Sequence, residues 1–255
     1  MIILLWGCTE DSPFIPDNKL VVVQAYLYAD EPVSDIRLTT TLPIDADTGK
    51  APPINNADVT LIKDGQRFLL SASPGDSGYY HYEGSDLTVN ADDIFNIEVN
   101  YEDEIISAET TVPEAPVGMA LSDTILSVPD YYRPIEMTKE ITLSWSNENE
   151  QLYFVVIENI DENPEEILTF MPSRGGKKMI SLPTNRDYYT INFRSVSYRG
   201  KHRVKLYRIN QEYADLYLSR QQDSRDLNEP LTNIQNGLGI FSAFNSDSLF
   251  FTVTR

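Results

Sequence analysis

The most regular chemical pattern in this 255-residue sequence is a run of basic residues at alternate positions. The stretch SYRGKHRVKLYR, residues 197–208, contains Arg199, Lys201, Arg203 and Lys205. Because side chains alternate between the two faces of a β-strand, this spacing predicts four cations on one face. Guanidinium and ammonium groups pair with carboxylates and phosphates, so we expect these residues to bind an anionic partner.

Two interpretations of this stretch stay open. No acidic residue occurs between Asp187 and Glu212, so the cations could meet anionic headgroups, a carboxylate-bearing ligand or the acidic first half of the chain. The same residues would also protect an edge strand, because lysine and arginine discourage pairing with another chain. Measurements of binding and of self-association on charge variants distinguish the two interpretations.

Catalytic patterns are missing from the sequence. Its two histidines, His81 and His202, lie in neither an HExxH nor a GxSxG setting. Asp45 and Asp47 stand at alternate positions, as in calcium loops, but Gly49 falls at position five and Asn56 at position twelve, which indicates a polar turn. We therefore expect no enzyme activity, no metal and no cofactor.

The single cysteine predicts a lipid anchor. Cys8 follows an apolar run and the small residue Gly7, and the sequence LWGC resembles a bacterial lipobox. A lipidated Cys8 would anchor the protein to a membrane without crossing it. The acidic residues Glu10 and Asp11, after Thr9, resemble a surface-export signal. The missing basic segment before the apolar run predicts further residues upstream. A cleaved ordinary signal, or a buried strand with an incidental cysteine, is the alternative.

The charge of the chain is strongly negative and uneven. The net charge is −19; residues 1–118 hold 5 Lys/Arg against 21 Asp/Glu, and residues 119–255 hold 15 against 18. A chain this acidic repels phosphate backbones, which argues against nucleic acid as a partner.

Short apolar alternations separated by Gly, Pro, Asn and Asp predict an all-β fold. We expect two immunoglobulin-like or fibronectin-like β-sandwich domains, with one short helix in the second. Hairpins are predicted at Asp64-Gly65 and at Glu102-Asp103, and Trp145 is expected in the second core. The other strands are predicted at residues 20–30, 36–44, 140–146, 151–160, 188–197, 241–244 and 248–255.

A proline-rich break at residues 113–116 predicts the domain boundary. The expected divisions are a signal remnant and tether at 1–18, a first sandwich at 19–114 and a second at 115–255. The helix is predicted from Gln211 to about residue 220, because Asn210 can cap it and Glu212 suits its positive end. Its apolar face would consist of Tyr213, Leu216 and Tyr217.

The order of the turn and strand motifs carries a family resemblance. Residues 55–82, NNADVTLIKDGQRFLL followed by DSGYYHY, are similar to the repeat in transthyretin-like and carboxypeptidase-regulatory-like sandwiches. With the strands around them and NIQNGLGIFSAF at 233–244, the chain from about 20 to 253 resembles the Bacteroidota outer-membrane lipoproteins of domain of unknown function 4249. It departs from that family at residues 102–104, EDE, where an aspartate-glycine turn is usual.

The resemblance implies a lipidated, surface-exposed outer-membrane protein, often encoded near TonB-dependent receptors, and it supplies no catalytic residues. We expect a non-catalytic binding or accessory component in nutrient uptake, with a TonB-dependent receptor as partner and an unknown ligand. A surface adhesin or structural stalk is the alternative, and a surface hydrolase is the least favoured one.

Overall fold

A computed structural model describes residues 20–42, 49–128, 139–167, 176–219 and 231–255. These ranges contain fifteen strands and one helix. In chain order they are β1 (Val21–Tyr28), β2 (Asp35–Thr40), β3 (Asp58–Lys63), β4 (Gln66–Ala72), β5 (Tyr79–His81), β6 (Ile94–Tyr101), β7 (Glu104–Thr111), β8 (Val117–Leu121), β9 (Ile125–Ser127), β10 (Ile141–Ser146), β11 (Leu152–Asn159), β12 (Lys178–Ile180), β13 (Tyr188–Ile191), β14 (Gly200–Ile209), α1 (Gln211–Ser219) and β15 (Leu238–Thr254).

The strands form one long sheet and one short sheet. The long sheet has the order β12-β11-β14-β15-β1-β2-β5-β4-β3-β6-β7, with β9 added beside β15, and the short sheet has the order β13-β10-β8. The predicted all-β sandwich fold with one short helix is confirmed. No helix in the described ranges has both the length and the apolar character needed to cross a membrane.

Both predicted hairpins have two-residue turns. β3 and β4 pair as far as Lys63 and Gln66, around Asp64 (φ 51°) and Gly65 (φ 76°). β6 and β7 turn in the same way around Glu102 (φ 48°) and Asp103 (φ 65°). Two left-handed residues in succession give the type I′ twist that hairpins prefer. The second turn is therefore as tight as the first, although it contains no glycine.

The first core lies inside the curve of the long sheet. β1 alternates strictly, with Val21, Val23, Ala25 and Leu27 buried. They pack with inward side chains of β2, β3, β4, β6 and β7, and also with Ile234, Phe241 and Ala243 from the C-terminal segment. The first core therefore contains residues that lie more than a hundred positions beyond the proline break.

The second core lies between the long sheet and the short one. Tyr153, Val155 and Ile157 of β11 point toward Ile141, Leu143 and Trp145 of β10. Trp145 is buried as predicted, and its ring lies 5.5 Å from that of Tyr153. β13 is shorter than the predicted strand at 188–197, because the side chain of Asn192 accepts a hydrogen bond from the Arg194 amide and turns the chain.

The last strand, β15, connects the two cores. Its first part, up to Phe244, pairs in parallel with β1, and its part from Phe244 to Val253 pairs antiparallel with β14. The sequence predicted two separate strands here, at 241–244 and 248–255. They are one strand, because the ladder with β14 continues without interruption through the polar residues 245–248.

The motif NIQNGLG, residues 233–239, holds the start of β15 against strands of the first half of the chain. The side chain of Asn233 both donates to and accepts from the backbone of Phe241, and Gln235 pairs with Ser107 on β7. Gly239 has a φ of +108° and lies against the backbone of Val23, where any side chain would collide with the Val23 carbonyl. The glycine is required for this close approach.

The predicted helix is confirmed as α1, Gln211–Ser219. It covers the outer side of the long sheet, opposite the cores, where Tyr213 packs on Phe244 and Tyr26. Glu212 accepts hydrogen bonds from Thr110 of β7 and Ser242 of β15, so α1 also bridges strands on both sides of the proline break. The division of the chain at residue 114 stays a prediction.

Candidate partner-binding face

The basic stretch forms β14, which is a central strand. β14 pairs with β11 along one edge, from His202 to Ile209, and with β15 along the other, from Gly200 to Ile209. It therefore has no free edge that lysine and arginine would need to protect. That alternative explanation of the basic residues is excluded by the sheet order.

Three of the four predicted cations share one side of the sheet. His202, Val204 and Leu206 are buried toward the second core, and Lys201, Arg203 and Lys205 point to the opposite side. Lys178 of β12 reaches the same side through its register with Glu158 of β11, which in turn lies opposite Arg203. We call this side of β12, β11, β14, the second part of β15 and β9 the basic face; its cations are Lys178, Lys201, Arg203 and Lys205.

Arg199 does not belong to the basic face. It is only 7% exposed, and its Nη1 donates a hydrogen bond to the Val128 carbonyl at 2.9 Å. Its Nε lies 3.6 Å from a carboxylate oxygen of Glu165. Arg199 precedes β14, and Gly200, the first residue of the strand, turns the backbone there with a φ of +92°. Residues two positions apart share a face only where both lie within the same strand.

The cations of the basic face differ in their partners. Arg203 donates to Glu158 at 2.7 Å, and Lys205 donates to Glu31 at 3.0 Å. Burial lowers the pKa of Lys205, but its hydrogen bonds to Tyr207 and Glu31 outweigh this effect and raise the pKa overall. Lys201 lies over the ring of Phe250, with Nζ 4.9 Å from the ring centre.

Exposed apolar side chains surround these cations. Phe250 on β15 is 48% exposed, Ile125 on β9 is 49% exposed and Ile180 on β12 is 50% exposed. The strand registers put all three on the basic face: Arg203 lies opposite Phe250, Thr252 opposite Ile125, and Val156 opposite Ile180. Sequence analysis missed these residues, because an alternating strand does not reveal which of its faces is covered.

The two histidines occupy different environments. His202 is buried, stacks on Phe251 with 5.2 Å between ring centres, and has a pKa lowered by burial. His81 is half-buried, with Nδ1 3.0 Å from the Ser73 hydroxyl and Nε2 4.0 Å from a Glu83 oxygen. These are the residue types of a nucleophilic triad, but Glu83 is mostly exposed and its contact is long for a hydrogen bond.

Within the described ranges no group of three or more His, Cys, Asp or Glu residues is placed to hold a metal ion. The acidic depression between Asp58 and the turn at residues 102–104 is among the described groups that lack such a site. Cys8, and Asp45 with Asp47, lie outside the described residues.

The fold and the basic face together define an all-β sandwich protein with an exposed, mixed basic and apolar sheet surface. The chain belongs to the family described as "Domain of unknown function (DUF4249)", whose model matches residues 9–249. No curated protein matches the chain.

Solved structures with some similarity include the FN1–FN3 domains of chicken CNTN1, at 11% identity and a TM-score of 0.27. That match covers 75% of this chain and 59% of the CNTN1 chain, so the similarity spans less than two thirds of that structure. A structure of three titin domains has 9% identity and a TM-score of 0.22, covering 92% of this chain and 67% of the titin chain.

Proposed function

We propose that this protein is a lipid-anchored, non-catalytic binding component of the bacterial outer membrane that assists a TonB-dependent transporter. The lipobox-like sequence at Cys8 supports the anchor, and the resemblance to Bacteroidota outer-membrane lipoproteins supports the location. The transporter is the partner that the resemblance implies. The observation that carries a binding role is the basic face, an exposed surface at one end of the long sheet with β14 near its centre.

The position of the basic face along β15 suits such an anchored protein. The tether leads into β1, whose second residue, Val22, pairs with Leu238 at the start of β15. Phe250 lies twelve residues further along that strand, which is about 40 Å at a rise of about 3.3 Å per residue. An anchored chain that stands upright would hold the basic face well away from its point of attachment.

Fractionation of cells tests the anchor. In a chain expressed with a complete signal, Cys8→Ser should move the protein from the membrane fraction to the soluble periplasm, because no acyl chain can be attached. Metabolic labelling with an alkyne fatty acid should mark the parent chain and leave the variant unmarked. Labelling of the serine variant would contradict the proposal.

Purification in detergent tests the partner. The anchored protein should co-purify with a large outer-membrane barrel protein, identified by mass spectrometry. An adhesin or stalk protein would be recovered without one, and that result would favour the alternative role.

A hydrolase role has one observation in its favour, the contact between Ser73 and His81. Esterase or protease activity that disappears in Ser73→Ala and persists in Ser71→Ala, a nearby half-buried serine, would replace the binding role with a catalytic one.

A further inference from the structure

We infer that the basic face docks an acidic segment of a partner protein. This inference rests on the binding role proposed above, and it does not depend on the lipid anchor. It names the chemistry of the partner: carboxylate side chains next to apolar ones, on a surface broad enough to span several strands.

The sheet order provides the first step. Lys201, Arg203 and Lys205 lie on β14, an interior strand, where they protect no free edge. Lys178 lies on β12, the edge strand at this end of the long sheet. Near the middle of the long sheet, α1 covers the outer side through Tyr213. The basic face is the part of that side where Lys201, Phe250 and Ile180 stay exposed.

Charge provides the second step. The basic face has four cations, and two carboxylates, Glu31 and Glu158, pair with Lys205 and Arg203. None of the ion pairs in the described ranges involves Lys178 or Lys201. A surface with excess positive charge on a chain of net charge −19 attracts acidic partners and repels basic ones.

The exposed apolar residues provide the third step. Ile180, Phe250 and Ile125 are distributed across a face that runs from β12 to β9, five strands or about 19 Å at about 4.8 Å per strand. A free anion would contact only one or two cations and leave these side chains in water. A protein surface can cover the cations and the apolar residues together, with the aromatic residue near the centre of the contact.

The opposite charge of the first half argues against the membrane as the occupant. Residues 1–118 have a net charge of −16, and β1 of this half pairs with the first part of β15, away from Phe250. Tilting the molecule until the basic face touched an anionic bilayer would bring this acidic half toward the same surface, at an electrostatic cost. An acidic protein partner that extends from the membrane meets the basic face without this cost.

Site-specific photocrosslinking in cells tests the inference. A benzoylphenylalanine replaces Phe250 in the full chain, and the control chain has the same group at Leu69, which is 67% exposed on β4 of the first half. We expect a crosslinked protein with the probe at position 250 and none with the probe at position 69. The crosslinked peptide of the partner, read by mass spectrometry, should contain several Asp or Glu residues.

Charge reversal makes the test specific. Lys178→Glu with Lys201→Glu should reduce the crosslink about tenfold, because like charges across an interface are strongly unfavourable. These two residues are exposed and their replacement breaks no ion pair, so folding should be retained. The matched control, Lys177→Glu with Arg194→Glu, changes the net charge equally at exposed positions outside the basic face and should leave the crosslink unchanged.

Every other outcome overturns the inference. A crosslink to a second copy of this chain would make the face a self-association surface, and a crosslink to lipid or lipopolysaccharide would make it a membrane contact. A partner peptide without acidic residues, or equal losses in both double variants, would remove the role of charge. The anchor and the transporter are tested separately by fractionation and co-purification, so a failure there is distinguishable from a failure here.

Discussion

The side chain of Asn245, in the middle of β15, donates a hydrogen bond to the carbonyl of Pro113 at 2.9 Å. The last strand of the chain is thereby connected to the break that the sequence identifies as a domain boundary. Next to it, Arg208 of β14 donates to Glu114 at 3.0 Å. The segment around residues 113–116 lies against the strand shared by both cores.

Cleavage at this segment should therefore leave the two pieces associated. We expect a protease site inserted between Glu114 and Ala115 to be cut, because both residues are exposed. The fragments should still elute together at the size of the uncut 29.0 kDa chain, since Phe241 and Ala243 of the second piece lie in the first core.

Expression of residues 19–114 alone provides the complementary measurement. Without β15 this piece loses the partner of one edge of β1 and part of its core, so it should be unfolded by circular dichroism. A stable, folded fragment would show that the first sandwich is independent of β15.

Gly239→Ala should destabilise the protein by about 3 kcal/mol, through backbone strain and displacement of β15 from β1. Its added Cβ would overlap the carbonyl oxygen of Val23. Urea unfolding measures the change. Gly176→Ala is the matched control, because an added Cβ there meets no atom of the described residues within 4 Å and its φ lies outside the left-handed region. A similar loss in both variants would contradict the explanation.

Asp103→Gly should stabilise the protein by about 0.5–1 kcal/mol, because glycine adopts the left-handed conformation of this turn position without steric cost. Asp103 has a φ of 65° there, and Gly65 occupies the same position in the other hairpin with a φ of 76°. The reverse change, Gly65→Asp, should cost a similar amount in urea unfolding. No gain from Asp103→Gly would indicate that its side chain compensates for the strain.

The buried His202 should make stability depend on pH. Burial lowers its pKa in the folded state below the usual value of about 6.5. The unfolded chain then binds the proton more tightly, so the contribution is fully present above pH 6.5 and is lost as the pH falls through the folded-state pKa.

The free energy of unfolding of the parent chain should therefore fall more steeply between pH 7 and pH 5 than that of His202→Gln, with a difference of at most about 1.4 kcal/mol per pH unit. His81→Gln serves as the control at the other histidine. Parallel pH profiles for the parent chain and His202→Gln would show that His202 is not responsible.

The sequence alone determined those features that depend on neighbours along the chain. The hairpin turn at Asp64-Gly65 follows from local backbone preference, and α1 follows from Asn210, Glu212 and the spacing of its apolar residues. The apolar residues at 20–30 predicted a strand, which is β1. The lipid anchor at Cys8 also comes from local sequence, and it stays a prediction.

The tertiary structure decided everything that depends on which strands become neighbours. Arg199 and Lys201 are two positions apart, yet one is buried against Val128 and the other is exposed over Phe250. The polar residues 245–248 resemble a turn, but β14 supplies hydrogen bonds along them and keeps the strand intact. Strand pairing between distant segments is set by contacts that no local pattern contains, so only the folded chain makes β14 a central strand and gives its cations an exposed face.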